Sequence, residues 1–231
     1  MNAPDRAPAA GRSVPSVPSV PPVLDEDAAV ARAVGLARSG TRRLLGLAGA
    51  PGAGKSTLAE RVVVQVRDAL GADAAVLVPM DGFHLAQSEL ERLGRADRKG
   101  APDTFDAAGF VALLRRVRAA DHVVWAPRFE RTLEEPVAGA IAVEPGTPLV
   151  VVEGNYLLLG TGPWADVARV LDETWFLQTD EAERVERLVR RHVRFGKTPD
   201  AARAWVLGPD QRNADLVAAT RDRADVVVRV A

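Results

Sequence analysis

The chain has 231 residues, 47% of them hydrophobic and 26% charged, enough for one compact domain with a proper core and too few for two large ones. A formal net charge of -1 leaves no global positive field to hold a nucleic acid or an anionic membrane. The lack of cysteine excludes disulfides and thiolate chemistry and fits a reducing, cytoplasmic location, and the apolar runs fall far short of the roughly 20 residues that span a bilayer.

In chain order, residues 1–24 read as a disordered tail, because the prolines of Ser13-Val14-Pro15-Ser16-Val17-Pro18-Ser19-Val20-Pro21-Pro22 remove backbone donors and fix φ at close intervals. A partner-binding polyproline segment is the alternative. A single domain is expected over 25–231, beginning with a helix from Asp25 that ends near Gly40. The pattern then switches between short β-branched runs and longer amphipathic stretches, the mark of a parallel sheet covered by helices. The predicted strands are Leu44 to Ala48, Ala75 to Pro79, His122 to Trp125, Leu149 to Glu153, Glu173 to Leu177 and Val226 to Val230. The predicted helices are Lys55 to Leu70, Asp106 to Ala119, Asp180 to Phe195 and Asp200 to Leu207. Leu149-Val150-Val151-Val152 shows no polar alternation, as a strand covered on both faces should not.

Directly after the first predicted strand comes Gly49-Ala50-Pro51-Gly52-Ala53-Gly54-Lys55-Ser56-Thr57, which fits G-x-x-x-x-G-K-[ST] in the strand, loop, helix setting that the motif requires. Glycines let successive N–H groups face inward, the helix that follows offers its positive end, and polyphosphate oxygens satisfy both. Lys55 is expected to reach the β- and γ-phosphates of ATP and the Ser56 hydroxyl to ligate Mg²⁺. The fold class is then α/β, a P-loop three-layer fold with a mostly parallel sheet and helices on both faces. Three lysines stand beside many arginines, at Lys55, Lys99 and Lys197. None lies in an N-K-x-D guanine-recognition segment, so a GTPase is disfavoured. The strand Leu149 to Val152 is followed by a single acid, Glu153, where a motor-type ATPase would carry paired acids, and a kinase is the class that remains.

The second predicted strand runs into Met80-Asp81-Gly82-Phe83-His84, placing a carboxylate at the edge of the sheet where ligands of open α/β folds bind. Asp81 is positioned to take the proton of an attacking hydroxyl or to ligate the metal. A tight Asp-Gly turn is the plainer reading, and the two are compatible.

Together the P-loop, Met80-Asp81-Gly82-Phe83-His84, Arg98-Lys99-Gly100-x-Pro102-x-x-Phe105-Asp106 and Val152-Glu153-Gly154-Asn155-Tyr156-Leu157-Leu158 resemble the superfamily of uridine kinase, phosphoribulokinase and bacterial pantothenate kinase. The likeness covers nearly everything after Gly40 and is strongest to the nucleoside/nucleotide kinase-like branch, some of whose members are named as candidate fructose-transport kinases. The resemblance implies that Asp81 is the general base, that Glu153 helps to hold Mg²⁺ or its waters, and that Asn213 lies near the adenine with Arg212 beside the base. It also admits a homodimer, by analogy alone.

Six positive side chains crowd Glu183 to Thr198 around a predicted helix end closed by glycine, so residues of about 183–200 are expected to form an arginine-rich lid that neutralises transition-state charge and excludes water. The alternative is a solvated helix face held by pairs such as Glu183 with Arg187. By resemblance to superfamily lids, Arg187 and Arg191 are the expected catalytic pair. The acceptor is expected to meet His84, Arg98, Lys99, Phe105 and Asp106 after the Asp81 turn, and the segment Arg128-Phe129-Glu130-Arg131 after the third predicted strand, although Arg98 and Lys99 also read as plain surface charges and His84 as a cap of the turn. Ala126-Pro127-Arg128-Phe129-Glu130-Arg131 departs from the P-x-Y-D-F segment of uridine kinases, which leaves the small hydroxyl acceptor open among sugars, pantothenate-like compounds and nucleosides. A regulatory P-loop ATPase without a small acceptor is the competing reading.

Overall fold

A computed structural model describes residues 20–119 and 121–230. The proline-rich stretch up to Ser19 lies outside the described residues. The tail expected through residue 24 gives its last two positions, Val23–Leu24, to a short strand, β1, which pairs in parallel with the final strand, β8 (Val226–Arg229).

A parallel sheet of six strands forms the centre, in the order β1, β8, β7 (Glu173–Gln178), β2 (Arg43–Ala48), β6 (Leu149–Gly154) and β3 (Ala75–Pro79). Alternate residues serve opposite faces, as the two-residue period of a strand requires. Leu45, Leu47, Leu149, Val151, Trp175 and Leu177 join one core with α1 (Glu26–Ala37) and α2 (Lys55–Leu70). Leu44, Val150, Val152, Phe176 and Val227 join the other, with α4 (Ala107–Ala119) and the short α5 (Val167–Val170). This is the three-layer arrangement that the sequence predicts. Among the described residues, no helix is long and apolar enough to cross a membrane.

The strand predicted over His122 to Trp125 is not part of that sheet. It runs as β4 (Val124–Glu130) and pairs antiparallel with an unforeseen strand, β5 (Glu135–Val143), in a separate hairpin whose register shifts between Ala126 and Arg128. Pro127 sits in that irregularity, where a missing backbone donor is tolerated. β5 was hidden because most of Val137 to Ala140 is exposed and small, giving neither strand alternation nor a β-branched run.

The helix at Lys55 to Leu70 falls where predicted, and α6 (Glu181–Arg194) starts on Asp180, whose side chain accepts from the backbone N–H of Ala182 and Glu183 at 2.9 and 3.1 Å, the expected N-cap device. The last predicted helix is shorter and its path longer: α7 (Pro199–Trp205) passes through a π-turn at Val206–Asp210, containing Pro209, into α8 (Gln211–Ala218). A short helix α3 (Gln87–Arg92) follows the Asp81 turn.

Candidate active site

The site lies along the carboxyl ends of β2, β6 and β3. Parallel pairing sets Pro79 of β3 beside Glu153 of β6, and Ala48 of β2 beside Gly154, so Asp81, Glu153 and the loop from Gly49 share one edge. Gly52 and Gly54 adopt left-handed φ values of 82° and 86°, which only glycine takes without strain. Gly52 is doubly constrained. A Cβ there would come within 2.8 Å of Leu188 Cγ and 2.9 Å of the Arg184 carbonyl oxygen, because α6 rests on the loop.

Lys55 is buried and its Nζ donates to the carbonyls of Gly49 and Ala50, both at 3.0 Å, and to Asn155 Oδ1 at 2.7 Å. Burial pulls its pKa down to about 8, against the opposing attraction of Glu153 and Asp81. The Glu153 carboxyl is pushed up to about 7, first by burial and then by the neighbouring Asp81, while Lys55 works the other way. Ser56 Oγ donates to Glu153 Oε1 at 3.4 Å. Ser56, Glu153 and Asp81 thus present hard oxygen donors beside the phosphate loop, a set that fits Mg²⁺ once phosphate oxygens and waters complete the shell. The described residues contain no cluster of three or more His, Cys, Asp or Glu that would cage a metal alone.

Asp81 sits on a 3-10 turn, Met80–Phe83, after β3. Beside it opens a cavity of about 880 Å³, and across the phosphate loop lies a cleft of about 520 Å³ lined by Gly52, Gly54 to Leu58, Arg187 and Arg191 among others. His84 lines the larger cavity and stacks 4.0 Å from Phe105 and 4.8 Å from Phe129, centroid to centroid. Its Nδ1 lies 2.8 Å from the Asp81 carbonyl oxygen. A carbonyl only accepts, so Nδ1 carries the proton, and burial lowers the His84 pKa, keeping the ring neutral with Nε2 as an acceptor.

Lys99 and Phe105 also line this cavity, Lys99 donating to the Glu134 carbonyl at 2.8 Å. Arg98 and Arg128 are absent from its walls. Arg98 instead pairs with Asp103 at 2.9 Å, so its surface-charge reading is the one the contacts favour. Asn213 lies in the wall of the larger cavity and donates to the Gly100 carbonyl at 3.3 Å. Arg187 pairs with Glu183 one helical turn away, so helix-face pairing and a place beside the phosphate cleft coexist there. Pro51, Ala53 and Thr57 take their places in and after the loop.

Three residues lie in segments that the sequence singles out, but their contacts were not foreseen. Asn155 anchors Lys55, as above. Arg184 is 2% exposed and ties the Pro51 carbonyl (3.1 Å) to Glu181 and to Gln211 Oε1 (2.6 Å), linking loop, α6 and α8. The spacing Glu181 to Arg184 hinted at the pair, but not at the loop it reaches. Arg131, in the turn between β4 and β5, approaches Asp81 Oδ2 at 3.7 Å.

No family model matches the chain. A Schizosaccharomyces pombe protein named as a proposed uridine kinase is 36% identical over 181 residues, spanning 76% of this chain and 77% of its own length. An ATP-dependent kinase-like protein of Aspergillus versicolor is 38% identical over 152 residues, 62% of this chain and 88% of its own. The crystal structure of a proposed fructose transport system kinase from a Silicibacter species superposes with a TM-score of 0.78 at 36% identity, covering 88% of this chain and 98% of that one.

Proposed function

Since the chain belongs to the P-loop kinase superfamily of the uridine kinase and pantothenate kinase type, we propose that it transfers the γ-phosphoryl group of ATP to a hydroxyl of a small metabolite. The carrying observation is the position of Asp81, on the edge shared by Lys55 and Glu153 and in the wall of the 880 Å³ cavity. A cavity of that size suits a metabolite, and a carboxylate at its phosphate end is placed to accept the hydroxyl proton.

In this reading the backbone N–H groups of Gly52 and of Gly54 to Thr57, at the start of α2, hold the β- and γ-phosphates. Lys55 leaves Asn155 for the phosphates, and Ser56 with Glu153 and Asp81 holds Mg²⁺, which when bound neutralises developing charge on the phosphate oxygens. Arg191, half-buried on α6 and lining both openings, adds positive charge where the phosphoryl group passes, and Arg187 does so from the phosphate cleft. His84, Phe105 and Lys99 form the acceptor wall, whose rings and charges suit a hydroxylated compound: a sugar, a pantothenate-like compound or a nucleoside. The cysteine-free composition agrees with a reducing cytoplasm.

The test is ATP consumption with Mg²⁺ against a panel of sugars, nucleosides, pantothenate and related vitamins, for wild type and Asp81→Asn. Acceptor-dependent turnover that falls by about 10²–10⁴ in the variant, with ATP still bound, is the expected result. ATP hydrolysis indifferent to every acceptor and to Asp81 would replace the kinase with a regulatory ATPase.

A further inference from the structure

Arg131 and Arg191 are the two residues common to the walls of the larger cavity and the phosphate cleft. The two openings therefore adjoin at these side chains. Arg191 comes from α6, whereas Arg131 comes from the tip of the hairpin and has no part in the reading above.

A guanidinium offers five N–H donors. Among the described residues, Arg131 has one polar partner, Asp81 at 3.7 Å, beyond hydrogen-bond range, and Arg191 makes no side-chain hydrogen bond or ion pair. The two groups sit close enough that Arg131 is the main charged cause, after burial, holding the Arg191 pKa below its ordinary value. Two cations set against each other with their donors unspent form a place for an anion. The tip is held there from two sides. Its guanidinium lies 5.9 Å from the centroid of Phe195, just after α6, and midway along β4 Pro127 is so near the Asp81 turn that a Cβ on Gly82 would lie 2.4 Å from the Pro127 carbonyl oxygen. A plain surface contact explains less: a loose pair on a side chain 42% exposed contributes almost nothing to stability.

We infer that Arg131 is a second catalytic arginine, binding the phosphoryl group in flight opposite Arg191. The inference rests on the kinase reading. As the acceptor oxygen bonds to the γ-phosphorus, its proton passes to the Asp81 carboxylate, and the bond from γ-phosphorus to the β,γ-bridging oxygen breaks, its electron pair leaving on ADP. Negative charge spreads over the three equatorial oxygens, which the N–H groups of Arg131 meet from the hairpin side. By turning from Asp81 toward those oxygens, Arg131 also frees the carboxylate to take the proton.

The experiment is calorimetric titration of the full chain with ADP and Mg²⁺, with and without aluminium fluoride as the phosphoryl mimic, for wild type, Arg131→Ala and Arg131→Lys. In wild type the fluoride should tighten nucleotide binding. Arg131→Ala should bind ADP alone within about threefold of wild type yet lose most of the tightening, about 10²-fold, the effect of removing one donor aimed at transition-state charge. Arg131→Lys should recover part of it, since a point charge replaces the planar fork. Unaltered tightening in Arg131→Ala overturns the inference while leaving the kinase standing. Failure of wild type to bind ADP removes the kinase reading and the inference together. Matching ADP affinities show that the alanine variant is folded.

Discussion

The two sides of the site are built in different ways. In the kinase reading the phosphate side is mostly backbone: a loop curled by Gly52 and Gly54 and the first turn of α2, with Lys55 held by two loop carbonyls. The proposed acceptor wall is made of side chains delivered from separate places, His84 after β3 and Lys99 and Phe105 from the segment before α4, and it meets the phosphate side at Arg131 of the hairpin and Arg191 of α6. A backbone-built site needs contiguous residues and tolerates little change. A side-chain-built site can alter its acceptor by exchanging residues without disturbing the sheet, which is how one fold hosts many acceptors.

The sharpest way to break this comparison is Lys55→Ala. Removing the cation aimed at the transferring phosphate should lower phosphoryl transfer by roughly 10³ or more, read as ADP release, whatever the acceptor. Transfer that survives on some acceptors and not others would show that the phosphate side is not common machinery.

Gly52→Ala should come next. A left-handed φ for alanine costs about 1–3 kcal/mol, and the new Cβ meets the Arg184 carbonyl, which as backbone has little room to give. We expect a melting temperature lower by roughly 5–10 °C together with weaker ATP binding, because the loop and α6 must part. A variant that melts like wild type would mean that the loop and α6 are not packed as tightly as their contact suggests.

The same contrast decides what could be read from sequence. The loop and α2 were legible because Gly49 to Thr57 carries its own geometry, and Asp81 was legible because a strand end followed by Asp-Gly points to one sheet edge. The hairpin was not. Its pairing depends on a register shift around Pro127 and on a strand of small, exposed residues, so nothing local told that Arg131 rather than Arg128 would meet Asp81. Arg98 and Lys99 are neighbours with opposite fates, divided by the salt bridge to Asp103 on one and the reach to the Glu134 carbonyl on the other. Arg184 read as one more charge on a helix, because its burial follows from how α6 lies on Gly52.

The smallest expected effect lies where the two sides meet. Glu153 touches Ser56 on the phosphate side and feels Asp81 on the other. Its carboxyl rises from an ordinary 4.5 to about 7 in the folded chain, chiefly through burial. A group raised in this way contributes stability that is complete below its unfolded value and is lost as pH climbs through the folded one. The ligand-free protein should therefore lose this contribution between about pH 4.5 and 7. Lys55, depressed to about 8, runs the other way, its contribution present above 10.5 and lost as pH falls through 8. It stays in place in Glu153→Gln and limits the net change. The variant, neutral at every pH, should melt close to wild type at pH 5 and a few degrees higher at pH 8, roughly 2–4 °C for each kcal/mol. Added ATP and Mg²⁺ should reverse the order at pH 8, since wild type alone then gains a charged oxygen ligand for the metal. A melting difference that does not change with pH would mean that burial of Glu153 exacts no penalty, and the junction between the two sides would then be as relaxed as the rest of the sheet edge.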